Sequence, residues 1–173
     1  MHLIKKSSRP LKVDKLFCRS LSARCSVNSS EGVLYLMTDT EGCHDYKVVK
    51  QDLASGKRED FYVPEHGQSV YEVDIFKNFM LLYLKNVSKS IVKIIDLKTK
   101  STTELNFGLE VCTILPGANE GYDINEVVMF VNTPFQYNVA YRYNFLTKIL
   151  TKIQEPKLTG EKFDESQYKA HIV

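Results

Sequence analysis

The chain of 173 residues has no tryptophan, and it holds only 8 glycines, 5 prolines and 4 cysteines. Without Trp it cannot carry the Trp-Asp mark of one large class of repeat arrays. Its cysteines, Cys18, Cys25, Cys43 and Cys112, make no C-x-x-C pair and follow no disulfide or zinc spacing. That usage points to a reducing compartment and to a chain with no bound metal and no cofactor. No apolar run approaches the roughly 20 residues of a membrane helix. The start, "MHLIKKSSRP", has too few apolar residues for a secretory h-region, so a cytoplasmic location is expected and the sequons at Asn28 and Asn86 stay bare on this reading. Nor does one sign of charge dominate. With 23 basic and 21 acidic residues the formal charge is +2, which gives nucleic acid or an anionic membrane little to attract.

What the chain does contain favours strands. Aromatics make up 11% of it, mostly Tyr and Phe, and the apolar runs are separated by Gly, Pro and polar clusters, so the expected fold is all-β. One short cadence recurs: Asp52-Leu53-Ala54-Ser55-Gly56-Lys57, Asp96-Leu97-Lys98-Thr99-Lys100 and Asn144-Phe145-Leu146-Thr147-Lys148 each sit between two strand-like runs, as a tight hairpin does. From Asp52 to Asp96 is 44 positions, and from Asp96 to Asn144 is 48. Upstream of each turn lies a continuous apolar run, "VLYLM" from Val33, "MLLYL" from Met80 and "VVMFV" from Val127, spaced 47 positions each time. A run that is apolar at both odd and even positions belongs to a strand covered on both faces.

Each unit therefore reads as four strands, the clearest being Val70–Phe76, Phe79–Lys85, Ile91–Leu97 and Ser101–Phe107. Four strands at a period of roughly 40 to 50 residues are the mark of a β-propeller, whereas a β-sandwich needs no fixed period. The expected architecture is a partial β-propeller of about three four-stranded antiparallel blades, with "HLI" at the start as one strand of a preceding blade. The expected divisions are 1–19 for that strand and a connector, 20–67, 68–108 and 109–156 for three blades, and 157–173 for an exit segment. An arc cut from a ring exposes one face of its first blade and one of its last, so self-association of the isolated chain is expected.

Residues that could carry chemistry are few. Gly67-Gln68-Ser69-Val70-Tyr71 approaches the G-x-S-x-G nucleophile elbow but puts a bulky Tyr where the bend needs a small flank. His2 and His171 lie at the ends and His66 in the loop beside Ser69, with no acid placed to orient any of them as in a triad. Cys43-His44-Asp45 groups a thiol, an imidazole and a carboxylate, but adjacent loop residues rarely converge on one centre and no second ligand pair accompanies them. A hairpin loop is the expectation there, and no catalytic, cofactor or metal residue is assigned.

Several stretches, taken in order, carry a resemblance: Tyr35-Leu36-Met37-Thr38-Asp39, Asp45 to Lys50, Pro64-Glu65-His66, Val73 to Phe79, Thr133-Pro134, and Gly160 to Tyr168, "GEKFDESQY". Together they resemble the last blades of the propeller domain of the prolyl oligopeptidase family of serine peptidases, with oligopeptidase B the nearer branch. Asp39 departs from the family's Thr-Asn pair, and Phe130 to Pro134 lacks its serine-rich approach. The resemblance implies a non-catalytic gating propeller that admits short peptides to an α/β-hydrolase domain. The Ser-His-Asp triad lies in that other domain, which begins in relatives just past a segment like the one ending at Val173. On this reading the chain is a fragment or truncated product, inactive alone, whose partners are the hydrolase domain, the remaining blades and, in the complete enzyme, short peptides. The alternative is a stand-alone protein-interaction module built from a partial propeller.

Overall fold

A computed structural model describes residues 2–4, 13–15, 25–39, 45–87, 89–156, 168 and 170. Its fourteen strands, with no helix among the described residues, start with a two-stranded antiparallel ribbon of β1 (His2–Ile4) and β2 (Val13–Lys15). The N-terminal strand expected from "HLI" is there, and it has a partner in Val-Asp-Lys, which holds too little apolar periodicity to announce itself.

Three four-stranded antiparallel sheets follow. The first is β3 (Cys25–Ser30), β4 (Val33–Thr38), β5 (Lys47–Asp52) and β6 (Arg58–Tyr62); the second is β7 (Gln68–Ile75), β8 (Phe79–Asn86), β9 (Lys89–Asp96) and β10 (Thr102–Leu105). The third is β11 (Thr113–Pro116), β12 (Glu126–Asn132), β13 (Val139–Asn144) and β14 (Ile149–Gln154). In each sheet the strands pair in chain order, the meander of a propeller blade.

The recurring cadence folds the same way three times. Asp52 Oδ1 accepts the backbone N–H of Ala54 and Ser55, Asp96 Oδ1 those of Lys98 and Thr99, and Asn144 Oδ1 those of Leu146 and Thr147. An Asx side chain mimics a backbone turn in this way. Each turn then closes on a residue of positive φ: Gly56 at 70°, Lys100 at 62° and Lys148 at 58°. Leu53, Leu97 and Phe145, each just past the Asx residue, donate their N–H to Gly32, Asn78 and Asn125 in the β3–β4, β7–β8 and β11–β12 connections.

The second sheet is covered on both faces, as a run apolar at odd and even positions alike demands. On β8, Met80, Leu82 and Leu84 pack with Tyr35 and Val48 of the first sheet, while Leu81 and Tyr83 pack with Ile114, Val127 and Met129 of the third. All five β8 residues are fully buried, and each contributes roughly 1.5–3 kcal/mol by leaving water. Phe79 stacks on Phe145 of the third sheet at 4.3 Å, which extends that core to the sheet's end.

The outer faces differ from the expectation that both lie open. On the first sheet Leu34 and Leu36 point away from the second sheet, yet they are only 3% and 0% exposed. On the third sheet Leu115, Ile149 and Ile153 are 40%, 57% and 42% exposed, and Val128 and Phe130 beside them are half-buried. One end of the arc is finished and the other is bare.

Candidate functional site

In a meander the turns alternate between two rims. The β3–β4, β7–β8 and β11–β12 connections fall on one, where Lys77 N bonds Tyr122 O at 3.0 Å across two sheets. The links between sheets, the middle hairpins β8–β9 and β12–β13, and the chain's departure after Gln154 fall on the other, where Ser90 N bonds Cys112 O at 2.9 Å. The latter is the exit rim. The first strands form the inner edge of the fan: β3 and β7 approach closely enough for Asn28 Nδ2 to donate to Val73 O at 3.1 Å.

Each sheet places an apolar side chain in water on the exit rim: Val63 is 55% exposed, Val87 77% and Tyr137 69%. Val87 is also β-branched with φ at 47°, a left-handed conformation that costs such a residue about 1–2 kcal/mol. Strain of this kind gathers at functional surfaces.

Between the second and third sheets the rim opens into a cavity of about 260 Å³, walled by Gly108–Val111, Thr133–Gln136, Tyr168 and Ala170. Its walls are wired locally. Thr133 Oγ1 accepts the N–H of Phe135 and Gln136, Asn132 Oδ1 accepts that of Asn138, and Asn106 Oδ1 accepts that of Gly108, whose φ is 70°. Thr133-Pro134, one of the stretches behind the family resemblance, is thus the turn that shapes this cavity. Across it Phe135 faces Tyr168 with ring centroids 6.0 Å apart. Tyr168 is the described residue of "GEKFDESQY"; Gly160 to Gln167 lie outside the described residues.

The residues weighed earlier for chemistry are not brought together. Ser69 lies inside β7 in register with Lys85, not at a strand-to-helix bend. His66 is exposed in the turn before β7. Cys43, His44 and His171 lie outside the described residues, as do the side chains of His2 and Cys25. Among the described residues no three His, Cys, Asp or Glu side chains converge as metal ligands. Cys112 is buried with its Sγ 3.8 Å from Ser90 O, and burial raises its pKa, which holds it as a thiol.

One half-buried carboxyl stands on the inner edge. Asp74 of β7 accepts a hydrogen bond from Tyr83 Oη at 3.1 Å; burial pushes its pKa up, and the Tyr83 bond only partly opposes that. Burial, with the Asp74 charge next, pushes the Tyr83 phenol well above its ordinary value. Nothing local marks this pair, because an Asp within a strand shows which side it faces only once its cross-strand neighbours are in place. The exit rim was more accessible to a reader: one apolar residue per repeat, each in a loop where a polar one is usual.

The sequence model of the prolyl oligopeptidase N-terminal β-propeller domain matches residues 1–156. No curated protein matches. Among solved structures, oligopeptidase B from Trypanosoma brucei, in a closed form with covalently bound antipain, is 17% identical with a TM-score of 0.80 over 95% of this chain. Oligopeptidase B from Leishmania major is 12% identical with a TM-score of 0.78 over 97%. Prolyl oligopeptidase B from Galerina marginata, bound to a 35mer substrate, is 15% identical with a TM-score of 0.70 over 85%. The chain covers 25%, 25% and 21% of these three proteins, so at these identities they share its fold over about a quarter of their length.

Proposed function

Because the chain belongs to the prolyl oligopeptidase N-terminal β-propeller family, we propose that it is the C-terminal part of a gating propeller in an oligopeptidase B-like serine peptidase acting on short peptides. The exit rim is the surface on which the hydrolase domain docks. The observation that carries this is the coincidence of three features on one rim: the exposed apolar residues Val63, Val87 and Tyr137, the cavity, and Tyr168 at the head of the departing chain. Exposed apolar residues beside a cavity suit an interdomain contact; the opposite rim also exposes Leu146 and Tyr122, but it carries the charged turns of Lys57, Lys98 and Lys148.

On this reading the propeller does no bond chemistry. It walls the substrate cavity and excludes folded proteins by size, while acyl transfer belongs to the hydrolase domain's triad. The bare face of the third sheet takes a further blade of the complete ring. A cytoplasmic location is part of the same reading, and the free thiol of Cys112 suits it.

Two experiments test it. The coding sequence is expected to run past Val173 into an α/β-hydrolase domain with a G-x-S-x-G elbow; a stop codon there would favour the stand-alone interaction module instead. The 173-residue chain alone is expected neither to cleave chromogenic Arg, Lys or Pro substrates nor to react with a fluorophosphonate probe. Stoichiometric labelling at Ser69 or any other serine would sink the assignment.

A further inference from the structure

The three connections between first and second strands differ in length. The β3–β4 connection has two residues (31–32), β7–β8 three (76–78), and β11–β12 nine (117–125). The extra chain is ordered at its base and carries its tip away from its own sheet.

At the base, Gly117 N donates to Val128 O at 2.9 Å, and the Asn119 side chain donates to Val128 O at 3.0 Å and accepts from Val128 N at 2.8 Å. Gly117 is fixed by crowding, since a Cβ there would lie 2.6 Å from Val128 O. At the tip, Asp123 Oδ2 accepts from Lys77 Nζ at 2.6 Å and Tyr122 O accepts from Lys77 N at 3.0 Å, both in the second sheet. Tyr122 Oη reaches further still, to Ser30 Oγ of the first sheet at 2.6 Å. Ser30 ends β3 and Lys77 follows β7 closely, so the tip passes over the inner ends of three successive sheets.

We infer that residues 117–125 form a lid across the inner mouth of the arc, on the rim away from the exit, with Tyr122 on Ser30 as its latch. A strap needed only to join the second and third sheets would stop at Lys77. The latch is polar and Tyr122 keeps 43% of its surface in water, so the bond can break without opening the core beneath. Lids of this kind open locally and close again around what they admit. Its meaning for peptide access rests on the proposed function; the local opening does not.

Amide hydrogen exchange on the 173-residue chain reads the opening alone. Tyr122→Phe and Ser30→Ala are each expected to speed exchange at least tenfold at the amides the lid holds, Lys77, Gly117 and Asn119, while β8 keeps its protection. The double variant is expected to exchange no faster than either single one, because the two hydroxyls share one bond. Unchanged exchange at these amides would remove the latch. A rise spread equally through β8 would make Tyr122 an ordinary structural contact and overturn the lid, leaving the reading-frame test of the peptidase assignment untouched.

Discussion

The outer faces of the first and third sheets come from strands written alike, "VLYLM" and "VVMFV", but only the first is covered. The hairpin registers, Val33 opposite Asp52 and Glu126 opposite Asn144, match Leu34 and Leu36 to Val127 and Met129, so Val128 and Phe130 lie on the opposite face of the shared strand pattern, as the two ends of an arc require. The difference teaches that a two-sided apolar run states a demand for cover and not its fulfilment. The third sheet meets that demand on one face, and a few hundred Å² of apolar surface awaits a partner worth about 5–10 kcal/mol of burial.

The comparison breaks most visibly under truncation. Leu36→Ala is expected to destabilise the chain by about 3 kcal/mol, and Ile153→Ala by less than about 1, as measured by urea unfolding. Equal costs would mean that the two faces are not different in solution. Association sharpens it next: Ile149→Lys with Ile153→Lys is expected to shift the chain towards monomer by light scattering, with its unfolding midpoint nearly unchanged. If the double variant associates as the parent does, the bare face is not what holds copies together.

The enclosed middle sheet supplies a pH test. The folded state raises the Asp74 pKa, so it holds the proton more tightly than the unfolded chain, and Asp74 makes the protein more stable as pH falls from neutral through that raised value. Asp96 works in the opposite sense. The backbone N–H of Thr99 lowers its pKa, and its stabilisation is present above the ordinary carboxylate range and lost as pH falls through the lowered value. Asp74→Asn is expected to raise Tm at pH 7 and to remove the gain on mild acidification, by calorimetry. A variant that loses stability at pH 7 would show the Tyr83–Asp74 bond outweighing the cost of burial.

The smallest effects belong to the exposed turns. Lys148→Gly is expected to stabilise by about 1 kcal/mol by relieving a positive φ. Lys100→Gly is expected to gain less, because Lys100 Nζ lies 5.2 Å from the centre of the Phe61 ring in the first sheet and that contact is lost. Thermal shifts that rank the two the other way would deny the contact between sheets.

Much of this was legible in the sequence. Asp52, Asp96 and Asn144 announce their turns because an Asx residue acts on the backbone two and three positions ahead, and the runs at Val33, Met80 and Val127 announce middle strands because apolarity at odd and even positions alike is local too. What distance along the chain conceals is the rest. Tyr122 finds Ser30 at a separation of 92 residues, and nothing in "GANEGYDIN" records how far that loop must reach. The cover over Leu36 and the half-burial of Asp74 depend in the same way on where a strand stands in the fan, which no window of sequence reports.

The strict chain-order pairing within each sheet bears on how the protein is made. Every strand joins the one just synthesised, so a complete sheet needs only about 40 residues to have left the ribosome, and loop-closure entropy stays small at each step. The first sheet can therefore form while the third is still being translated, each new sheet condensing on the face of the last. A nascent chain that has emerged as far as Leu105 would already hold two sheets and present Leu81 and Tyr83 to the solvent, the moment at which a chaperone has most reason to bind it.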